Sequence, residues 1–298
     1  MHDHHAGAAP RFRATDFLKF CLYTGAQTAI ALWLFKLIAP NVFAAEFAQP
    51  GMIVFWTFIL GIPLSLFEYL YHRYLLHSAV LPFLRSMNRA HTHHHGLTTV
   101  KAPVTPHEPE KMVPVFNEYS IVEEHQEESM MFPVYAISIF YVVFLILLAL
   151  PFKLLFPGQP IIASVFFTAT LCYTAYELWH QVLHLPFDSF WKPLMSGRKR
   201  RAVRHVYAFH LMHHWKPTCN LAVVGFWGLA IWDHIFGTHR RPHNLPLKGS
   251  EVNYKDISLS KPRWPISTLD KWGGAMFKFS RKVEAGLAKI FLGKKATG

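Results

Sequence analysis

The segment VVFLILLAL, residues 142–150, carries no polar side chain and indicates contact with lipid. It lies in the apolar run Phe132–Phe156, in which Lys153 is the one charged residue. About 20 predominantly apolar residues suffice for a helix to cross the hydrocarbon core of a bilayer. Three further runs of similar length and character are Phe17–Ala39, Gly51–Tyr71 and Ile161–Trp179. The sequence therefore predicts an all-α, multi-pass integral membrane protein, a helical bundle of about four spans.

The bulk composition agrees with exposure to lipid. The 298 residues are 52% hydrophobic and 16% charged, whereas soluble domains average about 25% charged residues. The net charge is +12, yet the basic residues flank apolar runs or lie towards the C-terminus, as in membrane proteins that face anionic lipid. We therefore expect no nucleic-acid partner. The three cysteines are too far apart in the sequence to predict a CxxC metal site or a disulfide framework.

The distribution of lysine and arginine predicts the orientation of the spans. Residues 41–50 and 157–160 contain neither of them. Residues 71–131 contain five, and the residues after Trp179 contain twenty. Because cytoplasmic segments are enriched in basic residues, we expect both termini and both large polar segments on the cytoplasmic face.

The chain is expected to have three parts. Residues 1–16 predict a flexible tail, residues 17–240 the catalytic domain with its spans and a cytoplasmic helical cap, and residues 241–298 a basic tail. The last thirty or so residues alternate aromatic, aliphatic and basic side chains, which is typical of an interfacial amphipathic helix. The N-terminal tail contains three histidines that are not expected to bind metal, namely His2, His4 and His5.

One apolar stretch, Leu221–Phe236, is too short to span a bilayer. It also carries Asp233 and His234. We therefore expect a buried or interfacial helix there rather than a fifth span.

Histidine is the unusual component of this sequence, with 20 copies. Most of them fall into four short clusters in the two segments predicted to be cytoplasmic. The clusters are HRYLLH (72–77), HTHHH (91–95), HQVLH (180–184) and HLMHH (210–214). A lone histidine near a membrane interface is usually an amphipathic anchor, but four clusters at ligand spacing on one face predict metal binding.

The spacing within the clusters predicts which rings act together. Residues three or four apart share one face of a helix, so we expect His180 and His184 to hold one ion. In each HxxHH cluster, the first histidine lies within reach of both members of the final pair. His72 and His77 are five residues apart, so they either serve different ions or are separated by the end of the helix.

Ten imidazoles in these clusters suit two ions with about five donors each, which leaves a position for oxygen or substrate. Imidazole binds iron, zinc and copper, so the ligand type does not identify the metal. One candidate function is an oxidoreductase that attacks a nonpolar C–H bond. The alternative is a non-enzymatic membrane metal-binding or metal-transport protein. A transporter should carry ionisable ligands near the bilayer midplane, whereas these histidines lie at span ends or outside the spans.

The order HxxxxH, HxxHH, HxxxH and HxxHH, with a pair of spans between its two halves, resembles the fatty acid hydroxylase/sterol desaturase superfamily. The segment WDHIFGT, residues 232–238, is similar to the WDxxFGT sequence that follows the last histidine box in that family. The resemblance covers about Gly51–His239, most of the chain. The combination of motifs is specific, although each box alone is weak.

This resemblance implies a non-haem di-iron centre that uses dioxygen to hydroxylate or desaturate a C–H bond of a membrane lipid, such as an acyl chain, a sphingolipid or a sterol. It also implies an external electron donor, which would be cytochrome b5- or ferredoxin-like. The isolated protein is also expected to be able to carry zinc in these sites, because imidazole binds zinc as well as iron. The metal ligands that the resemblance implies are His72, His77, His91, His94, His95, His180, His184, His210, His213 and His214.

Five further residues near the boxes are candidates for supporting roles. His93 either replaces a neighbouring ligand or donates to one. For His234 and His239, we expect support of the site from outside the ligand set, with direct ligation as the alternative. Glu68 and Glu177 precede a box histidine by four and three residues, so either carboxylate is expected to accept a ring N–H.

Two polar segments have two interpretations each. Residues 96–131, with the acidic run 123–128, predict a solvated cytoplasmic loop, and the alternative is a lid over the metal site. The basic run Arg198–Arg201, with Arg204, predicts charge that faces anionic lipid. The alternative for this run is a docking surface for an acidic electron donor.

Overall fold

The computed structural model describes residues 14–78, 80, 85–97, 100–101, 112–114, 116–117, 132–133, 135–196, 200–242, 245, 247, 251–253 and 261–292. Within these residues, the helices are α1 (Ala14–Ile38), α2 (Pro40–Phe47), α3 (Pro50–Tyr71), α4 (Arg85–Leu97), α5 (Ala136–Phe144), α6 (Leu150–Leu155), α7 (Ile161–Leu183), α8 (Lys192–Met195), α9 (Arg200–Trp215), α10 (Ile231–Phe236) and α11 (Ile266–Leu292). Three π-helical turns are His72–Leu76, Leu145–Ala149 and Phe187–Trp191. Strands of two or three residues are β1 (Val100–Lys101), β2 (Met112–Pro114), β3 (Phe116–Asn117) and β4 (Glu251–Asn253).

In the part of the chain that the structure describes, four helical segments are long and apolar enough to cross a membrane. They are Thr15–Ile38, Pro50–Leu76, Ala136–Leu155 and Ile161–Leu183. This confirms the prediction of an all-α membrane bundle with four spans, since the short strands form only two antiparallel ladders, β1 with β3 and β2 with β4. The bounds differ from the expected ones by up to five residues: the second span continues to Leu76 instead of Tyr71, and the third begins at Ala136 instead of Phe132. Helix α1 begins at Ala14, inside the expected tail, and α7 continues to Leu183, so His180 lies within the span.

Helices α3 and α7 form the closest pair among the spans. The Ser164 hydroxyl donates to the Ile53 carbonyl at 3.2 Å, and the Thr168 hydroxyl donates to the Thr57 carbonyl at 3.0 Å. Small hydroxyl side chains let two membrane helices approach closely and bond across the interface. These contacts fix the second span against the fourth, and thereby fix the two histidine boxes at their ends.

Helices α1 and α5 join this pair through a buried polar cluster. The Tyr141 hydroxyl lies 2.6 Å from the Thr28 hydroxyl and 2.7 Å from the Thr170 hydroxyl. Aromatic and aliphatic side chains of all four spans surround the cluster and form the main core. The contact shows that Thr28 near the midpoint of α1, Tyr141 in α5 and Thr170 near the midpoint of α7 lie at one level of the bundle.

The winding of the second span changes where the first histidine box begins. The α-helix ends at Tyr71 and continues as the π-helical turn His72–Leu76. The amide of His77 donates to the carbonyl of His72 at 3.1 Å, a bond across five residues. Such π-helical turns are frequent at functional sites.

Helix α11 does not begin as a detached tail. The Asp270 carboxylate accepts two hydrogen bonds from the guanidinium of Arg73, at 2.8 and 2.7 Å, and one from Tyr74 at 2.9 Å. Ile266 is fully buried against Tyr69 of α3 and its neighbours. The amphipathic C-terminal helix is therefore present, and its first turns pack against the second span. Its location at the membrane interface stays a prediction.

The expected helix over Leu221–Phe236 is largely absent, because only Ile231–Phe236 is helical. The amides of Leu221 and Ala222 bond to the Asp233 carboxylate, and those of Val224 and Gly225 bond to the Glu68 carboxylate, instead of to helical carbonyls. Left-handed backbone at Gly225, Trp227 and Gly228, with φ of 58°, 50° and 92°, also interrupts a helix.

Several expectations fall outside the described residues. They concern the N-terminal histidines His2, His4 and His5, the acidic run 123–128, most of the expected lid 96–131, and Arg198 with Lys199 of the basic run.

Candidate metal centre

All ten histidines of the four boxes converge on one place, where the ends of α3 and α7 meet α4 and α9. Their rings form two adjacent clusters of five. Site A consists of His72, His77, His91, His95 and His213, whose ligand atoms all lie within 4.8 Å of one another. Site B consists of His94, His180, His184, His210 and His214; four of these meet the same criterion, and His210 lies 3.2 Å, Nε2 to Nε2, from both His184 and His214. The clusters touch, because the rings of His95 and His214 stack 4.1 Å apart.

In site A, four Nε2 atoms point at one another. The Nε2 of His91 lies 3.0 Å from that of His72 and 3.1 Å from that of His77. The Nε2 of His213 lies 3.2 Å from that of His77. Two nitrogens at right angles around one ion, each about 2.1 Å from it, are about 3 Å apart. The spacing of these atoms is therefore the spacing of neighbouring metal ligands.

The protonation of two site A rings is fixed by carbonyl groups. The Nδ1 of His72 lies 2.6 Å from the carbonyl oxygen of Leu221, and the Nδ1 of His213 lies 2.8 Å from that of Cys219. A carbonyl accepts only, so each Nδ1 donates its proton and each neutral ring presents an Nε2 lone pair to the cluster. Lone pairs that face each other repel unless a cation or a proton lies between them. The donor set therefore fits a bound metal ion.

The carbonyl contacts correct one expectation from the sequence. Neither Glu68 nor Glu177 accepts a ring N–H from a box histidine. The two oxygens of Glu68 accept the amides of Val224 and Gly225, each at 2.9 Å, and one oxygen of Glu177 accepts the amide of Phe132 at 3.0 Å. Both carboxylates accept hydrogen bonds from backbone amides instead of from histidine rings, because each lies about one helical turn before its histidine box and faces a neighbouring loop.

The HxxHH boxes each divide between the two sites. On α4, His91 and His95 belong to site A, whereas His94 belongs to site B. Successive helical residues are rotated by about 100°, so residues i and i+4 share a direction and i+3 points away from i+4. On α9, His210 and His214 belong to site B and His213 to site A. The first histidine of each box lies near both members of the final pair, as expected, with ring centroids between 4.6 and 5.9 Å apart, but it shares a site with only one of them.

His72 and His77 of the first box do not serve different ions, which was the first of the two interpretations of their spacing. His72 and His77 lie in the same site, with ring centroids 5.0 Å apart. In an α-helix, five residues would rotate the second ring by about 500°, nearly opposite to the first. The π-helical turn removes most of this rotation and ends at Leu76, between the two histidines, in agreement with the second interpretation.

Burial keeps the clustered imidazoles in the neutral form that binds metal. Removal from water lowers the pKa of His91, His94 and His210 well below the usual value near 6.5, and repulsion between protonated neighbours lowers it further. The same two causes lower the pKa of His214. A metal ion therefore competes with few protons at neutral pH.

Three histidines near the boxes lie outside both sites. His93 is exposed on α4, so the expectation that it replaces or supports a ligand is not met. His234 and His239 stack on each other with ring centroids 3.9 Å apart, and neither belongs to a site. Direct ligation by them is therefore wrong for this structure.

The WDHIFGT segment supports site A indirectly, through the loop that orients one of its ligands. The Asp233 carboxylate accepts the amides of Leu221 and Ala222, at 3.0 and 2.9 Å, and the Thr238 hydroxyl at 2.7 Å. Burial raises the pKa of Asp233, although these three hydrogen bonds act in the opposite direction. Asp233 thus fixes the loop whose Leu221 carbonyl orients His72. The motif was visible in the sequence, but this role was not.

Replacement of Asp233 by alanine is expected to destabilise the protein by about 3–5 kcal/mol, because it leaves the buried amides of Leu221 and Ala222 without an acceptor and removes one of the two partners of the Thr238 hydroxyl. Bound metal should fall as well, since the loop no longer holds the ring of His72. Thermal unfolding and metal analysis of the purified variant measure both effects. Asp188→Ala is the matched control, because Asp188 is exposed and bonds only to Lys192. Equal stability of the two variants would contradict this role.

An apolar cavity adjoins site A within the bundle. It lies between α3, α5 and α7 and is partly open to the surroundings of the bundle, and the space between its walls, together with that opening, is about 520 Å³. His72 and Glu68 are part of its wall, and the remaining wall is almost entirely aromatic or aliphatic. The phenylalanines and tyrosines in the wall are Phe67, Tyr71, Phe132, Phe140, Phe144, Tyr173 and Tyr176. Neither the cavity nor the contribution of the third span follows from the sequence.

Comparison of the chain with protein-family models, with curated proteins and with solved structures finds no match.

Proposed function

We propose that this chain is a di-iron, dioxygen-dependent oxidoreductase that hydroxylates or desaturates a C–H bond of a membrane lipid. One observation carries the proposal: the wall of the apolar cavity includes His72, which is also a member of site A. A hydrocarbon segment in the cavity would therefore lie next to a cluster of metal donors. The likeness of the four boxes to the fatty acid hydroxylase/sterol desaturase superfamily supports the same reaction class.

The chemistry of such a substrate explains the composition of the site. A nonpolar C–H bond has no acidic proton, so general acids and bases offer little, and a bound iron pair supplies the activation of dioxygen. The residues of this chain supply the rest. Aromatic side chains such as Phe67 and Phe140 exclude water and hold the substrate, and the Leu221 carbonyl keeps the His72 ring in one orientation.

The proposal is tested by the products that the protein makes. Protein purified with iron is incorporated into nanodiscs that contain lipid from its host, and it receives dioxygen and a chemical reductant. We expect lipids that have gained one oxygen atom or lost two hydrogens, together with consumption of oxygen. A parallel sample loaded with zinc should give neither, because zinc has no redox chemistry. Unchanged lipid in the iron-loaded sample, with site A and site B filled, would contradict the proposal.

The alternative, a metal transporter, has less support. A transported ion needs ligands near the bilayer midplane. The box histidines of α3 and α7 lie at the last turn of each span or beyond it, at His72, His77, His180 and His184. Metal uptake into vesicles at a rate that depends on these histidines would favour the transporter.

We further propose that both termini and the metal centre face the cytoplasm, on the basis of the lysines and arginines after Trp179 and in residues 71–131. Reporter fusions after Gly298 and within residues 41–50 should then give opposite signals for sidedness. Identical signals from the two fusions would overturn this orientation.

Electrons for such a reaction must come from a partner. We propose an acidic donor, cytochrome b5- or ferredoxin-like, that docks on the basic surface around Arg200, Arg201 and Arg204. Charge complementarity mainly sets the association rate and is screened beyond about 8 Å at physiological salt. In nanodiscs of neutral lipid, turnover limited by the donor should fall with salt and with reversal of Arg200 and Arg201 to glutamate. Turnover that ignores both changes would mean that this charge only attracts anionic lipid.

A further inference from the structure

The segment Ala222–Phe236 runs down the side of α3 and back. The amides of Val224 and Gly225 bond to Glu68, near the end of α3 that carries the metal centre. Two residues further, the Trp227 indole N–H donates to the Phe58 carbonyl at 3.1 Å. Ten residues of α-helix separate Phe58 from Glu68, a distance of about 15 Å along the axis. The side chains of Glu68 and Trp227 cover part of this distance, because three residues of backbone extend at most about 10 Å. The segment nevertheless descends along α3, away from the metal centre, and the Trp227 indole reaches the level of Phe58 and Gly61.

The return path lies beside the descent. The Trp232 indole N–H donates to the Ser65 hydroxyl at 2.9 Å, and the ring of Phe236 contacts that of Tyr69 at 5.1 Å. Each contact is closer to the metal centre than the one before it. The segment is thus a hairpin with its tip near Trp227.

The tip of the hairpin lies close to the middle of the four spans. Phe58 follows Thr57, whose carbonyl accepts the hydroxyl of Thr168 on α7. Two residues beyond Thr168, Thr170 belongs to the polar cluster that contains Thr28, at the midpoint of α1. In a bilayer that covers these spans, the tip would therefore lie near the hydrocarbon midplane.

The backbone of the tip is suited to a medium without water. The amides of Phe226 and Leu229 bond to each other's carbonyls, at 2.9 and 3.0 Å, and the amide of Gly228 bonds to the carbonyl of Val224 at 2.8 Å. The positive φ of Gly225 and Gly228 permits this tight turn, and a side chain at Gly225 would collide with the Leu229 carbonyl. Non-helical backbone survives at membrane depth only where its polar groups are bonded within the protein.

The side chains at the tip are apolar, and one of them is open to the surroundings. Residues 222–232 contain no charged side chain. Leu229 is 60% exposed. The Trp227 indole packs directly on Gly61 of α3, so closely that a β-carbon at Gly61 would lie only 2.6 Å from the indole nitrogen. We propose that residues 222–236 form a re-entrant hairpin that enters the bilayer from the metal-centre side and presents Leu229 to lipid hydrocarbon.

The hairpin is coupled to site A at its base. The carbonyls of Cys219 and Leu221, directly before the descent, orient His213 and His72. Lipid contact at the tip and ligand orientation at the base therefore belong to one rigid loop. This inference does not depend on the reaction that the metal centre performs.

Spin labels measure the depth of the tip. Leu229→Cys is labelled in a Cys21→Ala background, which leaves the buried Cys172 and Cys219 as the other cysteines. The Cys21→Ala protein without Leu229→Cys, treated with the same reagent, is the blank that measures any labelling of these two. In phosphatidylcholine nanodiscs, the label should collide more often with dissolved oxygen than with a water-soluble nickel complex. Ile30→Cys, exposed near the midpoint of α1, is the hydrocarbon control, and Asp188→Cys is the aqueous control.

The proposal predicts that Leu229→Cys behaves like Ile30→Cys. Collision with the nickel complex at the rate of Asp188→Cys would overturn it, because the tip would then face water. A label shielded from both reagents would also overturn it, because a second copy of the chain or another protein would cover the tip. If a label disturbs folding, unlabelled Leu229→Cys in native membranes gives a second measurement. There it should resist a membrane-impermeant maleimide that modifies Asp188→Cys.

Discussion

Replacement of His94 by alanine is expected to weaken metal binding at site B and leave site A intact, although its neighbours His91 and His95 belong to site A. His213→Ala should do the reverse, although His213 lies between the site B residues His210 and His214. Loss of groups that merely orient a ligand weakens metal binding by about 10- to 100-fold, so loss of a direct donor should cost at least that. Bound metal should fall from about two ions to about one, and turnover should disappear.

Double variants make this prediction sharper. His94→Ala combined with His184→Ala should retain about one ion, because both changes affect site B. His94→Ala combined with His213→Ala should retain almost none. Residues that act in one site are non-additive, whereas residues in separate sites add. Metal analysis of each purified variant distinguishes these patterns.

His93→Ala is the matched control for these variants, because His93 lies beside His94 on α4 but is exposed. It should keep both metal ions and full activity. A loss of metal in His93→Ala as large as in His94→Ala would mean that α4 presents a different face to the centre.

Filling the apolar cavity is expected to abolish most turnover without loss of metal. Ala169 of α7 lines the cavity and is 1% exposed. Ala169→Leu inserts three carbons into the space proposed for the substrate chain, and misplacement by about 1 Å can cost roughly 100-fold in rate. Turnover of lipid, measured beside the metal content, should fall by about this factor.

The matched control for this variant is Ala163→Leu. Ala163 is equally buried on α7 but does not line the cavity, so its variant carries the cost of overpacking, about 1–3 kcal/mol, without obstructing the cavity. Similar turnover in the two variants would mean that the substrate binds elsewhere.

The spans were predictable because their signal is local. The apolar side chains of a run such as 142–150 by themselves favour its transfer into lipid. The four segments found are accordingly close to those expected. The convergence of the boxes was also predictable from the topology, since all of them follow a span on the same side. Their assignment to sites was not predictable, because it depends on the π-helical turn at His72–Leu76 and on which histidines of α4 and α9 face each cluster.

The loop after α9 shows where local reasoning ends. Its apolar composition predicted a helix over Leu221–Phe236, but Glu68 and Asp233, from a distant span and from the loop's own end, bond to its amides. Glu68 lies 156 residues from Val224 in the sequence, so its carboxylate cannot enter a local pattern. The same contacts position the carbonyl groups of Cys219 and Leu221 to accept hydrogen bonds from the Nδ1 atoms of His213 and His72 in site A.

The central claim is that two adjacent five-histidine sites hold a redox-active metal pair, and reconstitution tests it most directly. Metal-free protein is titrated with ferrous iron while bound iron, oxygen consumption and lipid product are measured on the same samples. We predict saturation at about two iron ions per chain, with product formation appearing only as the second ion binds. Full product formation by protein that contains neither iron nor another redox-active metal would contradict the account.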